Sequence, residues 1–132
     1  METPKPGIEY RRDEDFFSGY ANNVYVEPSV WDLKIVFGQT DLSSGPNAVV
    51  QHTAITLPWN YVKILSYVLR SNIAVREAED GHIPVPPRIL IPPPKEIPPA
   101  ENIGLFKHPK EGLEAVHKLW DEFVKENPEL QF

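Results

Sequence analysis

The sequence of 132 residues contains no cysteine, and beyond Arg11-Arg12 it has no cluster of basic residues. The absence of cysteine excludes disulfides, thiolate metal sites and a cysteine nucleophile. The net charge is −6, and a phosphate-binding surface needs clustered positive charge, so we expect no nucleic-acid partner. No apolar run approaches the roughly 20 residues that cross a bilayer. We therefore also expect no direct membrane insertion.

The motifs of common enzyme and cofactor sites are missing as well. The seven glycines are scattered singly, so there is no phosphate-binding loop. The GxSxG and HExxH patterns are absent, and none of the four histidines has a partner at metal-ligand spacing. We predict no catalytic residues, no cofactor, no metal site and no enzymatic activity. The polar, charged N-terminus does not resemble a signal peptide, which favours a cytoplasmic protein.

Proline is the abundant residue: half of the sixteen residues from Pro84 to Pro99 are prolines. Apolar residues that a plain spacer does not need are set among them, including Ile89, Leu90 and Ile91. In the polyproline II conformation, at about 3.1 Å per residue, these sixteen residues would span roughly 50 Å. We interpret residues 83–107 as a strap that lies on an apolar surface, of this chain or of another, and that can carry the following segment to a distant site.

The chain before the strap has the pattern of a small antiparallel sheet. Residues 1–19 are polar and predict an extended arm. A short β-like run covers residues 23–27, and residues 30–37 alternate apolar with polar side chains, with Trp31 expected in the core. After a loop rich in Gly, Ser and Pro, residues 49–57 predict a second long strand, paired antiparallel with the first.

A long helix should begin at Pro58, continue to about Asp80 and stop at Gly81. Its apolar residues cover roughly 180° of the helix, whereas packing on one sheet needs about 100°. The excess must meet a symmetry-related helix, the strap or the C-terminal helix. Because a domain of about sixty residues (20–82) is also marginal alone, we expect a homo-oligomer, most simply a two-fold dimer. The predicted class is thus α+β, with β-β-α order.

The C-terminal segment, residues 108–132, predicts an amphipathic docking helix from about Lys110 to Glu126. Its apolar residues form one narrow stripe, on which Trp120 is a candidate interface anchor. Twelve residues of the first helix, the strap and this stripe are the candidate protein interface: Trp59, Tyr61, Ile64, Val68, Val75, Ile89, Leu90, Ile91, Leu113, Val116, Trp120 and Phe123.

Three segments carry a resemblance to a known family. They are Tyr20-Ala-Asn-Asn-Val, the strand with Trp-Asp-Leu and Phe-Gly, and the His-Thr-x-x-x-Leu-Pro-Trp corner before the helix. Over residues 20–82 the chain resembles a family of small bacterial and archaeal proteins known as a domain of unknown function, the "three-four-six-seven" family. The resemblance implies a β-β-α domain and supplies neither an activity nor site residues.

Three functions compete on the sequence alone. The first is a non-enzymatic assembly subunit that oligomerises through the β-β-α domain and clamps a partner protein or neighbouring subunit with the strap and terminal helix. The second is a holdase for unfolded chains, by fold-level analogy with the SecB-type secretion chaperone. The third is a small ligand binder or enzyme whose site lies at an oligomer interface, around His52 and Asn22-Asn23.

Overall fold

The computed structural model describes residues 7–41, 43, 48–86 and 107–130. These residues form three strands and two helices in the order β1 (Asn23–Pro28), β2 (Asp32–Thr40), β3 (Val49–Pro58), α1 (Trp59–Asp80) and α2 (Pro109–Glu126). The predicted α+β class is confirmed: an antiparallel sheet precedes a long helix, and a second helix follows. No helix in these ranges combines the length and apolarity needed to span a membrane.

The sheet has three strands in the order β1-β2-β3, so β2 is the central strand. Ile35 and Val36 are both buried, and successive strand residues point to opposite faces. Buried and exposed residues therefore do not alternate at the middle of β2, where both faces of the strand are covered. The expectation that Trp31 lies in the core was wrong, because this residue precedes β2 and is 82% exposed.

A tight turn centred on Ser29 connects β1 to β2 and explains where Trp31 goes. The Ser29 N–H donates to the Asp32 carbonyl at 2.8 Å, and its hydroxyl oxygen accepts from the N–H groups of Trp31 and Asp32 at 3.1 and 3.0 Å. The hydroxyl in turn donates to the Asp32 carboxylate at 2.8 Å. These bonds fix the backbone of the turn and leave the indole of Trp31 outside it.

The chain divides into two compact units. One comprises Met1–Glu27 and Lys34–Thr56, which hold most of the sheet, and the other comprises Pro28–Leu33 and Leu57–Phe132, which hold the β1–β2 turn and both helices. In the first unit, residues 7–22 contain neither helix nor strand.

Both helices begin and end at the residues that the sequence favours. Pro58 precedes α1 in an extended conformation, and Gly81 closes it with a φ of 88°, in the region that glycine adopts without strain. Pro109 opens α2, where its missing N–H leaves no intrahelical bond unmade. Asn127 ends α2, and its side-chain amide donates to the Phe123 carbonyl at 2.8 Å.

Gly38 in β2 tests how closely β2 and β3 approach each other. A Cβ atom at this position would lie 2.6 Å from the Val50 carbonyl oxygen and 3.0 Å from the Val49 side chain. Since a backbone oxygen of the neighbouring strand cannot move without disturbing the pairing, we expect Gly38→Ala to destabilise the fold by about 1–3 kcal/mol, measured as a lower midpoint of thermal unfolding.

The matched control is Gly19→Ala, also a glycine with a close neighbour. Its nearest atom, at 2.6 Å, belongs to the Phe17 ring, which is exposed and can rotate away. The Gly19→Ala midpoint should stay near that of the wild type. Equal midpoints for Gly38→Ala and wild type would contradict the close approach of the strands.

Candidate protein-interaction surface

One face of α1 is apolar and uncovered. Tyr61, Ile64, Val68 and Val75 fall within about 60° of one another on the helix, at 100° per residue. All four are exposed, to fractions between 45% and 64%. We call these four residues the outer face of α1. All four were predicted interface residues, and Trp59, at the start of the helix, is also exposed.

The outer face carries no charge over most of its length. The cations in this part of α1 are Lys63 and Arg70, which both fall on the opposite side of the helix. Between Tyr61 and Val75 the other residues on the outer side are neutral, such as Ser71 and Asn72. An apolar, charge-free face that is open to water is the usual mark of a protein-interaction surface.

The second helix lies on the other side of α1. A groove of about 710 Å³ between the two helices is lined by Ser66, Arg70 and Glu77 of α1 and by Leu119, Glu122 and Phe123 of α2. Of the three surfaces that we considered for the excess apolar arc of α1, the C-terminal helix thus lies over the polar side together with Ile73 and Ala74. It leaves the outer face uncovered.

The predicted stripe on α2 is partly covered. Leu113, Trp120 and Phe123 are half-buried, whereas Val116 is exposed. The Trp120 and Phe123 rings contact each other with centroids 6.4 Å apart, so the proposed anchor already has an aromatic neighbour in its own helix. The strap residues of the predicted interface, 89–91, lie outside the described residues.

A polar cluster that sequence reasoning missed joins the ends of the two helices. His82 Nδ1 lies 3.2 Å from a Glu77 carboxylate oxygen, and Nε2 lies 2.9 and 3.0 Å from the two oxygens of Glu129. Each carboxylate also accepts a backbone N–H at 2.9 Å: Glu77 from Ile83, and Glu129 from Val85. We call His82, Glu77 and Glu129 the latch.

The latch shifts the protonation of its members. The hydrogen bond that His82 donates to Glu129, with smaller contributions from the charges of Glu129 and Glu77, raises the pKa of His82 above its ordinary 6.5. The Val85 N–H, followed by the bond from His82, lowers the pKa of Glu129 from 4.5 to about 2. The imidazole is 44% exposed, so water and salt screen these interactions.

No local signal could have revealed the latch. Glu77 stands in an acidic run that is typical of a solvated helix end, and its contact with His82, five residues later, has no recognisable motif. Glu129 is 47 positions away from His82. The latch therefore depends on the placement of α2, which the sequence leaves open.

The residues behind the family resemblance make hydrogen bonds to backbone within their own unit. The His52 Nε2–H donates to the Tyr20 carbonyl at 2.9 Å, which leaves Nδ1 to accept from the Thr53 hydroxyl at 2.7 Å. The Asn22 side-chain oxygen accepts from the Thr40 N–H at 2.9 Å. These are contacts that position strands and the arm, and they occupy the groups on which a ligand site would depend.

The Trp of the strand-to-helix corner has a similar structural contact. The Trp59 Nε1–H donates to the Ser29 carbonyl at 3.0 Å, which ties the start of α1 to the β1–β2 turn. Within the parts of the chain that the structure describes, no group of three or more His, Cys, Asp or Glu side chains could hold a metal ion. The contacts of Trp59, His52 and Asn22 are structural, and the exposed outer face of α1 is the candidate site that remains.

These features define an α+β fold with an exposed helical face. The family model described as "Protein of unknown function (DUF3467)" matches residues 1–85. This is more than half of the chain, so the chain belongs to that family, and the resemblance noted above is confirmed. The match extends over the N-terminal arm and ends at Val85, within the first three residues of the strap and before α2. No curated protein and no solved structure matches the chain.

The tie between Trp59 and the turn can be tested with paired tryptophan substitutions. Trp59→Phe keeps an aromatic ring but removes the donor to Ser29, and should lower the free energy of unfolding by about 1 kcal/mol. Trp31→Phe changes an exposed indole and should leave it unchanged. Both are measured by chemical denaturation followed by far-ultraviolet circular dichroism, and equal effects would remove the proposed structural role of Trp59.

Proposed function

We propose that this protein is a non-enzymatic assembly subunit that pairs with a second copy of itself through the outer face of α1. The observation that carries the proposal is the position of that face. It lies opposite the side that α2 occupies, and all four of its apolar residues are exposed. The third sequence hypothesis, a site around His52, is less favoured because both ring nitrogens of His52 are engaged.

A second copy suits this face for an electrostatic reason. The chain carries a net charge of −6, so two copies repel each other when charged surfaces approach. The outer face is neutral from Tyr61 to Val75, which lets two helices approach without opposing like charges. An isologous two-fold contact needs one self-complementary patch, and an uncharged apolar stripe meets that requirement.

The size of the face supports a contact made by more than one helix pair. A helix of 22 residues is about 33 Å long, and a single stripe of it offers less than the roughly 800 Å² per partner of a standard interface. Within α1, the exposed Trp59 supplies further apolar surface beside the outer face. As the sequence predicts, we assign the self-association to the β-β-α domain, and α1 is the part of it that we test.

The strap and α2 complete the proposal as the segment that clamps a partner protein or neighbouring subunit. Val116 and Leu119 are exposed apolar residues of α2. Because tryptophan is enriched among the residues that contribute most binding energy at interfaces, Trp120 is the residue of α2 to test. We also place the protein in the cytoplasm, on the sequence grounds given above.

The self-association is tested by placing a glutamate on one side of α1 or on the opposite side. We expect the wild type to sediment as a dimer or larger at micromolar concentration, and Val68→Glu to shift it towards one chain, because a carboxylate would be buried without a partner. Lys63→Glu introduces the same residue on the other side and should keep the assembly. A wild-type mass of one chain in sedimentation velocity would refute the proposal.

The same exposed apolar surface also favours a second candidate, a holdase for unfolded chains. A surface of this kind binds apolar segments without demanding a sequence. If the protein is a holdase, stoichiometric amounts should suppress the aggregation of a thermally unfolded client, followed by light scattering, and Val68→Glu should weaken the effect. Unchanged client aggregation would leave the assembly subunit as the remaining proposal.

A further inference from the structure

The latch joins two segments that are far apart in the sequence, and its geometry is demanding. Glu77 reaches His82 from the last turn of α1, and Glu129 reaches it from the tail after α2. The two carboxylates occupy different ring nitrogens. An imidazolium donates from both nitrogens, whereas a neutral imidazole donates from only one. Both carboxylates can accept a hydrogen bond from the ring at the same time only when the ring is protonated.

We propose that His82, Glu77 and Glu129 form a pH-sensitive latch, which holds α2 against α1 when the imidazole is protonated and weakens this docking when the imidazole is neutral. On loss of the proton, one ring nitrogen presents a lone pair to a carboxylate oxygen. That carboxylate keeps only its bond from the backbone. The inference concerns a contact within one chain and does not depend on the proposed self-association.

The packing between the helices gives the latch its importance. Neither α1 nor α2 contains a buried residue, and the groove of about 710 Å³ between them is far from close-packed. The buried residues of this region lie in the tail, where Asn127 and Leu130 flank Glu129. Among the described residues, the tail and its carboxylate therefore give α2 a polar attachment beside its half-buried apolar stripe.

Three other charged groups line the groove beside His82, and they differ in their effect on its protonation. Arg70 of α1 and Glu122 and Glu126 of α2 also line the groove. The two additional acids favour a protonated imidazole, and the one guanidinium opposes it. With Glu77 and Glu129 in direct contact, the surroundings of the ring are acidic on balance.

The pH window follows from the direction of each shift. The raised pKa of His82 means that its contribution is complete below 6.5 and is lost as the pH rises through the higher value of the docked state. The lowered pKa of Glu129 means that its contribution is present above 4.5 and is lost as the pH falls through about 2. Docking is therefore strongest between pH 4.5 and 6.5.

Amide hydrogen exchange on the full chain tests the latch. Protection factors, which correct for the pH dependence of intrinsic exchange, are measured for α2 and for Val85 at about pH 5.5 and about pH 8.5. In the wild type we expect lower protection of both at the higher pH. The fold-change in protection should equal the acid dissociation constant of His82 in Glu129→Gln divided by that in the wild type, which is about tenfold for each unit of difference in pKa. Both constants are read from the imidazole resonances.

Two variants assign the effect to the latch. His82→Gln and Glu129→Gln should both abolish the pH dependence of α2 protection, whereas His117→Gln should retain it. His117 is an exposed histidine of α2 with no hydrogen-bond partner among the described residues. If His82→Gln fails to fold, as the resonances of the sheet would reveal, the wild-type comparison still decides. Wild-type α2 protection that is equal at the two pH values overturns the proposal, as does a pH dependence that His82→Gln preserves.

Discussion

Everything in the helical unit depends on one constraint: α1 carries more apolar surface than one neighbour can cover. Its outer face and its groove side lie on opposite sides of the helix, and α2 takes the groove side, where Arg70 and Glu77 are found. Polar contacts at the ends of the helices support this placement, beside the half-buried apolar stripe of α2. The uncovered apolar face is the direct consequence, and it is the reason to expect a second copy.

Both ends of α1 are fixed by polar contacts of different origin. At the start, the Trp59 indole binds the β1–β2 turn, and both partners lie inside the family segment. At the end, Glu77 and His82 lie inside that segment, but Glu129 lies beyond residue 85, where the family match stops. The first contact thus belongs to the domain that defines the family. The second joins Glu129, which lies outside the family segment, to that domain.

The fold was predictable where a local pattern decides it. Pro58 and Gly81 marked the limits of α1, and the alternation in β2 identified the long strand, because backbone preferences and periodicity act over a few residues. Trp31 was misplaced, since a turn built by the Ser29 side chain overrides the strand period. The outer face was predicted as interface from the width of the apolar arc. The latch was not predictable, because it joins His82 to a residue 47 positions away, and only the placement of α2 brings them together.

The separation of the two faces has a further consequence for how the molecule can change state. When α2 leaves α1, much of the surface that it uncovers on α1 is polar or charged, including Ser66, Arg70 and Glu77, and water solvates such groups at little cost. Release therefore does not have to expose a second large apolar face on the first helix. Since the outer face lies on the other side, its ability to meet a second copy is unchanged by the position of α2. On this arrangement, movement of the C-terminal helix would leave the proposed self-association intact, so that the two proposed properties would respond to different conditions.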